Sequence, residues 1–346
     1  MPRWVKSVIG CVLLLAVGIA GTLAYLWGTP YKNYSEAEKF LLIPRGTSAL
    51  GISHQLQNEG IVRNWTLFLA YVKICRISRP LQAGEYHFER PLSIRQVADR
   101  LIHGLVFYHE VTIPEGYSVF EIADLLVQKN LASPGSFRAA AGDARLIADL
   151  VPEARNLEGF LFPDTYRFTR GVSAEEMVRQ MVNRFRQMYS DFYKTEVQQS
   201  SMSLNQVITL ASLIEKETGV EDERPLVSSV FHNRLKLHIP LQCDPTVIYA
   251  AKLHGTFHQE ILPNDLNITS PYNTYLHPGL PPGPIANPGL WSVEAALKPA
   301  SSTYLYFVSN NKGGHVFSTT LEEHNRAVAV YRHDLKKTLQ RKQGRS

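Results

Sequence analysis

The uncharged run Val8 to Trp27, VIGCVLLLAVGIAGTLAYLW, constrains this chain before anything else does. It matches the ~20 apolar residues a helix needs to cross the hydrocarbon core of a bilayer. Arg3 and Lys6 precede it, and Glu36 and Glu38 follow soon after. That asymmetry keeps the N-terminus on the cytoplasmic side. A cleaved signal peptide is the rival reading. Its apolar core would be shorter, roughly 7–15 residues, although Gly18 and the small residues between Ala20 and Ala24 leave that rival open. The expectation is an uncleaved single-pass anchor, with everything after Thr29 outside the cytoplasm.

With 346 residues, the rest of the chain is long enough for two domains with real cores. Hydrophobic residues make up 45% and charged residues 19%, an ordinary globular balance. The net charge of +5 permits weak attraction to anionic wall polymer or lipid. There is no clustered Arg/Lys groove with interleaved aromatics, which argues against a nucleic-acid partner. Cys11 falls in the apolar run, so Cys75 and Cys243 remain; they give neither a disulfide framework nor metal spacing. One long-range bridge or two buried thiols both stay open.

Between Tyr34 and Phe168 the chain repeats itself loosely. Ile43-Pro44-Arg45-Gly46 is echoed by Ile113-Pro114-Glu115-Gly116, and Ser48 or Ser118 is placed to cap a helix. Helical patterns follow at Ala49 to Glu59 and Val119 to Lys129, then at Trp65 to Ile74 and Ser136 to Ala141. Each copy closes on an aromatic strand, Gly84 to Phe88 and Asp164 to Phe168. Such strand–helix–helix–strand units resemble the LysM fold, which binds N-acetylglucosamine polymers. A duplicated spacer without a ligand is the plainer alternative.

The stretch from Leu204 to Tyr249 carries the chemistry. Leu204, Val207, Ile208, Ala211 and Ile214 recur at three- and four-residue steps, the period of an amphipathic helix. Glu215 continues that stripe, and a carboxylate on an apolar face must be paired, hydrogen-bonded or kept protonated. Glu217 points elsewhere on the wheel. A second helix is expected from Glu223 to Leu237, followed by Leu241-Gln242-Cys243-Asp244-Pro245-Thr246 with Asp244 in a turn. Two carboxylates in different environments are what acid–base chemistry uses; a salt-bridged Glu215 and a merely turn-forming Asp244 are the bland readings.

Downstream, Ser270 to Gly289 is too rich in proline and glycine for regular structure. Its aromatic and aliphatic residues point to a long ordered loop, the kind that lines a site. Trp291 to Leu297 reads as a helix. Tyr304 to Val308 and His315 to Ser318 read as a hairpin around Asn310-Asn311-Lys312-Gly313-Gly314, before a final helix from Glu322.

At this point the resemblance becomes specific. Ala211-Ser212-Leu213-Ile214-Glu215-Lys216-Glu217-Thr218, Phe231 with Asn233-Arg234-Leu235, and Leu241-Gln242 with Asp244 to Tyr249 resemble the signature of the endolytic murein transglycosylase (YceG-like) family. So do Tyr272-Asn273-Thr274-Tyr275, Gly279 to Gly283, Tyr304 to Val308, the Gly314-His315 turn, and Glu158-Gly159 with Phe162 to Tyr166. Cys243 departs from the pattern, where a small polar residue such as Thr is expected. The resemblance implies an α+β chain: anchor over residues 1–29, LysM-like module over 30–105, related module over 106–170, catalytic domain over 171–346. It implies cleavage of the MurNAc–GlcNAc β-1,4 bond of nascent peptidoglycan strands at the inner membrane, leaving 1,6-anhydro-MurNAc ends, with no cofactor and no metal. By matching position Glu215 is the acid. Glu217, Gln242, Asp244, Tyr272, Asn273, Tyr275 and His315 are expected to hold substrate. Glycan strands are the expected partner, with peptidoglycan synthases beside them. A hydrolase using Glu215 with Asp244, and a non-catalytic wall-binding scaffold, are the rivals.

Overall fold

A computed structural model describes residues 2–75, 80–133, 135–258 and 260–343. It is a mixed α+β chain, mostly helical, with three small two-stranded sheets among the described residues. It separates into two compact units, one of residues 1–110 with 167–172 and one of residues 111–166 with 173–346.

In the first unit, α1 (Arg3–Gly28) is long, apolar and without a single buried residue. An exposed apolar helix of this length is what a bilayer, and not water, would cover. The sequence expected this helix. Next come β1 (Lys39–Ile43), α2 (Ala49–Asn58), α3 (Trp65–Ile74), β2 (Gly84–Phe88) and α4 (Ile94–Ile102). The strands pair antiparallel, with Leu41 opposite Tyr86. Each helix start is specified locally. Ser48 accepts from the Gly51 N–H, Asn64 from Thr66 and Leu67, and Ser93 forms a reciprocal cap with Gln96. Ile43, Leu56, Phe68, Tyr86, Phe88 and Leu101 are all but fully buried and form the core of this unit. The Trp27 indole N–H, near the end of α1, donates to the Leu67 carbonyl at 3.1 Å and ties the helix end to α3.

β3 (His109–Thr112) and β4 (Thr165–Phe168) pair as the second sheet, enclosing α5 (Val119–Gln128) and α6 (Ser136–Ala141) in sequence. The second unit continues with α7 (Ala174–Met188), a π-helical turn, α8 (Lys194–Gln199), α9 (Leu204–Glu217), α10 (Arg224–Lys236) and α11 (Asp244–His254). Then come α12 (Leu290–Leu297), the hairpin β5 (Tyr306–Ser309) and β6 (His315–Ser318), and α13 (Leu321–Gln343). α9 is the centre: α10, α11 and α12 all pack on it. Leu204, Asn205 and every residue from Val207 to Ile214 are buried. From Val207 to Ile214 α9 therefore has no solvent face, and the stripe read from its spacing was one side of a stretch covered all round, while Gln206 and Lys216 near its ends are exposed. Asp244 opens α11 instead of sitting in a turn. Proline at the second position and an acid in the first turn are helix-start signals that the surrounding loop chemistry concealed.

The proline-rich segment 270–289 is irregular and held from within. The Asn273 amide N–H groups donate to Leu266 and Ile268 carbonyls at 2.9 Å, and its Oδ1 accepts from the Tyr275 N–H at 3.0 Å. Asn287 accepts from the Leu161 N–H and donates to the Tyr117 carbonyl and to Glu158. Gly159 has φ +86°, and a β-carbon there would lie 2.4 Å from Pro284 Cγ, so only glycine admits the loop so closely.

Candidate active site

Two carboxylates leave α9 two residues apart, which is about 200° around a helix. They reach different places. The Glu215 side chain is 7% exposed; its Oε2 accepts the Gly289 N–H at 3.1 Å, and its Oε1 lies 3.7 Å from Arg224 Nη2. Glu115 joins this cluster from the Ile-Pro-Glu-Gly turn, so close to Gly289 that a β-carbon there would fall 2.0 Å from its Cδ. Burial, and then the neighbouring Glu215, push the Glu115 carboxyl up. Glu215 is thus a paired, hydrogen-bonded carboxylate, the first way of satisfying an acid on an apolar helix.

Glu217 instead faces a cavity of about 380 Å³. Its carboxyl is pushed up to about 7, first by withdrawal from water and then by Asp244; the Cys243 thiol and His315 act the other way. Sequence elements far apart converge here. The turn before α11 supplies Gln242 and Cys243, and the first residue of α11 supplies Asp244; the loop supplies Tyr275; α10 supplies Arg234; β6 supplies His315. Tyr275 Oη donates to Asp244 Oδ1 at 2.6 Å, aligning that carboxylate. Gln242 has φ +51°, an unusual value for a residue with a side chain, and its N–H donates to the Thr274 carbonyl at 3.2 Å. Arg234 Nη1 donates to the Pro240 and Leu241 carbonyls at 3.0 and 2.9 Å and reaches Gln242 Oε1 at 3.4 Å. Its Nε donates to the Leu305 carbonyl at 2.7 Å, so one guanidinium fixes both the strained turn and the hairpin.

Of the residues singled out in the sequence, Glu217, Gln242, Asp244, Tyr275 and His315 therefore meet around one cavity. Glu215, Tyr272 and Asn273 do not line it. Tyr272 is 8% exposed with its ring against Tyr249 at 5.0 Å, and Asn273 spends its side chain on its own loop. Both shape the segment that delivers Tyr275. Arg234 and Glu223 went unread as functional. An arginine within the otherwise buried Val227 to Phe231 side of α10 was the available signal for the first. For Glu223 the sequence offered none beyond its place at a helix start.

Chemically, the cavity offers a carboxyl that holds its proton near neutral pH beside a hydrogen-bonded carboxylate, with aromatic and polar walls. Such a group can deliver a proton and take one back.

A family model described as the YceG-like family matches residues 41–330. The chain is 36% identical over 328 residues to the endolytic murein transglycosylase of Bacillus subtilis, spanning 89% of this chain and 90% of that protein. It is 31% identical over 321 residues to the endolytic murein transglycosylase of Streptococcus pneumoniae serotype 2, spanning 84% of this chain and 57% of that longer protein. A crystal structure of a yceG-like protein from Listeria monocytogenes superposes with a TM-score of 0.58 at 35% identity, covering 84% of this chain and 99% of that one.

Proposed function

Because the chain belongs to the YceG-like family, we propose that it is an endolytic murein transglycosylase anchored in the inner membrane by α1, with Glu217 as the group that moves the proton. The bond cleaved is the MurNAc–GlcNAc β-1,4 linkage of nascent glycan strands. Glu217 gives its proton to the glycosidic oxygen as the C1–O bond breaks and positive charge develops on the sugar ring. The MurNAc 6-hydroxyl then closes on C1, and the Glu217 carboxylate takes the hydroxyl proton. The product is a 1,6-anhydro-MurNAc end; no water is consumed and Glu217 ends as it began. Asp244, aligned by Tyr275, stabilises the cationic ring, while Gln242 and His315 hold sugar polar groups.

The observation that carries this assignment is the contrast between the two glutamates of α9. Glu217 faces the cavity with its proton retained up to about 7. Glu215 is engaged by Gly289 and Arg224. We therefore assign the acid, expected at Glu215, to the residue two positions on. Around this centre we further assign residues 30–105 and 106–170 as LysM-like modules that hold glycan, residues 171–346 as catalytic, and peptidoglycan synthases as neighbours that supply the strand. Support for the first module is its β1–α2–α3–β2 order with the two strands paired.

A second reading is favoured by one observation: Asp244 shares the cavity with Glu217. Such a pair could instead hydrolyse the bond. Mass spectrometry of ends released from glycan strands separates the two, since hydrolysis gives reducing ends. Glu217→Gln should cut release by roughly 10²–10⁴-fold with the fold intact, and Glu215→Gln should cut it far less. The reverse order of damage would return the acid to Glu215, full activity of both variants would put the chemistry elsewhere in the chain, and a wild type that releases no ends would leave a wall-binding scaffold.

A further inference from the structure

The turn between β5 and β6 does more than reverse the chain. Gly313 has φ +93°, and a β-carbon on Gly314 would lie 2.6 Å from Glu223 Oε1. That bare approach lets Glu223, at the end of the short 3₁₀ turn before α10, reach His315 twice. The His315 backbone N–H donates to Oε1 at 2.8 Å, and ring Nδ1 lies 2.7 Å from Oε2. The Thr218 hydroxyl, at 3.5 Å from Oε2, approaches the same carboxylate. Burial by itself would raise Glu223; the His315 contacts outweigh it and hold this carboxyl below the ordinary range. An ionised carboxylate only accepts, so the 2.7 Å contact puts the ring proton on Nδ1. In a neutral imidazole that leaves Nε2 as a bare acceptor. Among the described residues Nε2 has no protein partner, and the ring is part of the wall of the Glu217 cavity.

We propose that Glu223 is a positioning residue that locks His315 in the Nδ1–H tautomer, so that Nε2 accepts a hydrogen bond from a hydroxyl or amide N–H of the sugar chain bound beside Glu217. The inference rests on reading that cavity as the site of glycan cleavage. It also gives the Gly-Gly-His sequence a reason: the second glycine admits the carboxylate, and the histidine receives it twice.

The test uses the full chain in detergent micelles, isolated glycan strands as substrate, and ¹⁵N NMR of labelled histidine with His315 identified by its loss in His315→Asn. In the wild type the His315 signals should report Nδ1–H. Glu223→Gln, which no longer presents an anionic acceptor, should release that tautomer and raise KM roughly tenfold, with kcat changed by less than about threefold. His315→Gln, whose amide reaches the Nε2 position, should keep KM within about threefold of wild type. His315→Asn, which reaches only the Nδ1 position, should match Glu223→Gln. Should Glu223→Gln fail to fold, the two His315 variants carry the comparison. A Glu223→Gln that only lowers Tm, with KM unchanged, overturns the proposal; so does an Nε2–H tautomer in the wild type, or equal KM in the two His315 variants. A wild type that cleaves no glycan defeats the reading of the cavity instead, and the tautomer then decides the Glu223–His315 lock alone.

Discussion

Glu158 offers a quantitative test that needs no substrate. It is 1% exposed, accepts the Val119 N–H at 3.1 and 3.0 Å through its two oxygens, and accepts from the Asn287 amide at 3.1 Å. Burial pushes its carboxyl up to about 8, against the Val119 and Tyr249 hydrogen bonds that pull it down. In the unfolded chain the same group titrates near the ordinary value of 4.5. The folded state therefore binds the extra proton, and the associated stability is complete below about pH 4.5 and lost as pH rises through about 8. Linkage with these two values gives a loss of roughly 2–3 kcal/mol between pH 5 and pH 7, and about 1 kcal/mol more by pH 8. Glu158→Gln keeps an oxygen for Val119 and Asn287 and cannot ionise. The assay is urea unfolding of wild type and variant followed by tryptophan fluorescence at each pH, because the difference between the two chains cancels every other titrating group. The variant should gain on the wild type steadily from pH 5 to pH 8. Parallel curves would refute the reasoning, since they would mean that Glu158 is equally charged folded and unfolded.

With Glu217 as the acid and its carboxyl at about 7, turnover should hold below neutrality and fall tenfold per unit well above it; a pH–rate profile with its alkaline limb near 4.5 would contradict this. Cys243→Ser should move that limb to lower pH, because a hydroxyl donates to the Glu217 carboxylate more strongly than the thiol now beside it, and an unmoved limb would remove Cys243 from the proton's surroundings. Fractionation with N-terminal sequencing should find the intact chain in the membrane; a soluble form beginning near Tyr25 would replace the anchor by a signal peptide.

Much of the architecture was legible because it is written locally. Ser48 caps the helix its position announces, and the paired Ile-Pro-x-Gly turns announced two strand–helix–helix–strand orders. The cavity residues Gln242, Asp244, Tyr275 and His315 were legible through the motif resemblance, not through any periodicity. The order of the two glutamates was not legible, because it turns on a tertiary fact. Spacing along α9 marks a stripe only if the other side meets water, and from Val207 to Ile214 α9 meets none. With no wet face to contrast against, the rank of Glu215 and Glu217 could not be taken from the wheel. It depended on Arg224, Gly289 and the turn at Cys243, all distant in sequence or carried by other elements. Glu223 was invisible for the same reason: its partner lies ninety-two positions away, in a hairpin whose glycines mean little until the carboxylate arrives.

Glu217 is the last residue of α9, and Thr218 follows in extended backbone. The carbonyls of a helix's final turn point their negative ends outward, so a carboxylate formed there sits in an opposing field. The helix terminus thus works with the burial of the carboxyl to keep the proton on, and it does so from the backbone, where no side-chain replacement in the cavity wall reaches. Acid strength in this protein is then partly a matter of where a helix stops. A change at Thr218 or Gly219 that let α9 run on by one turn would carry that negative end away from Glu217 and weaken its hold on the proton.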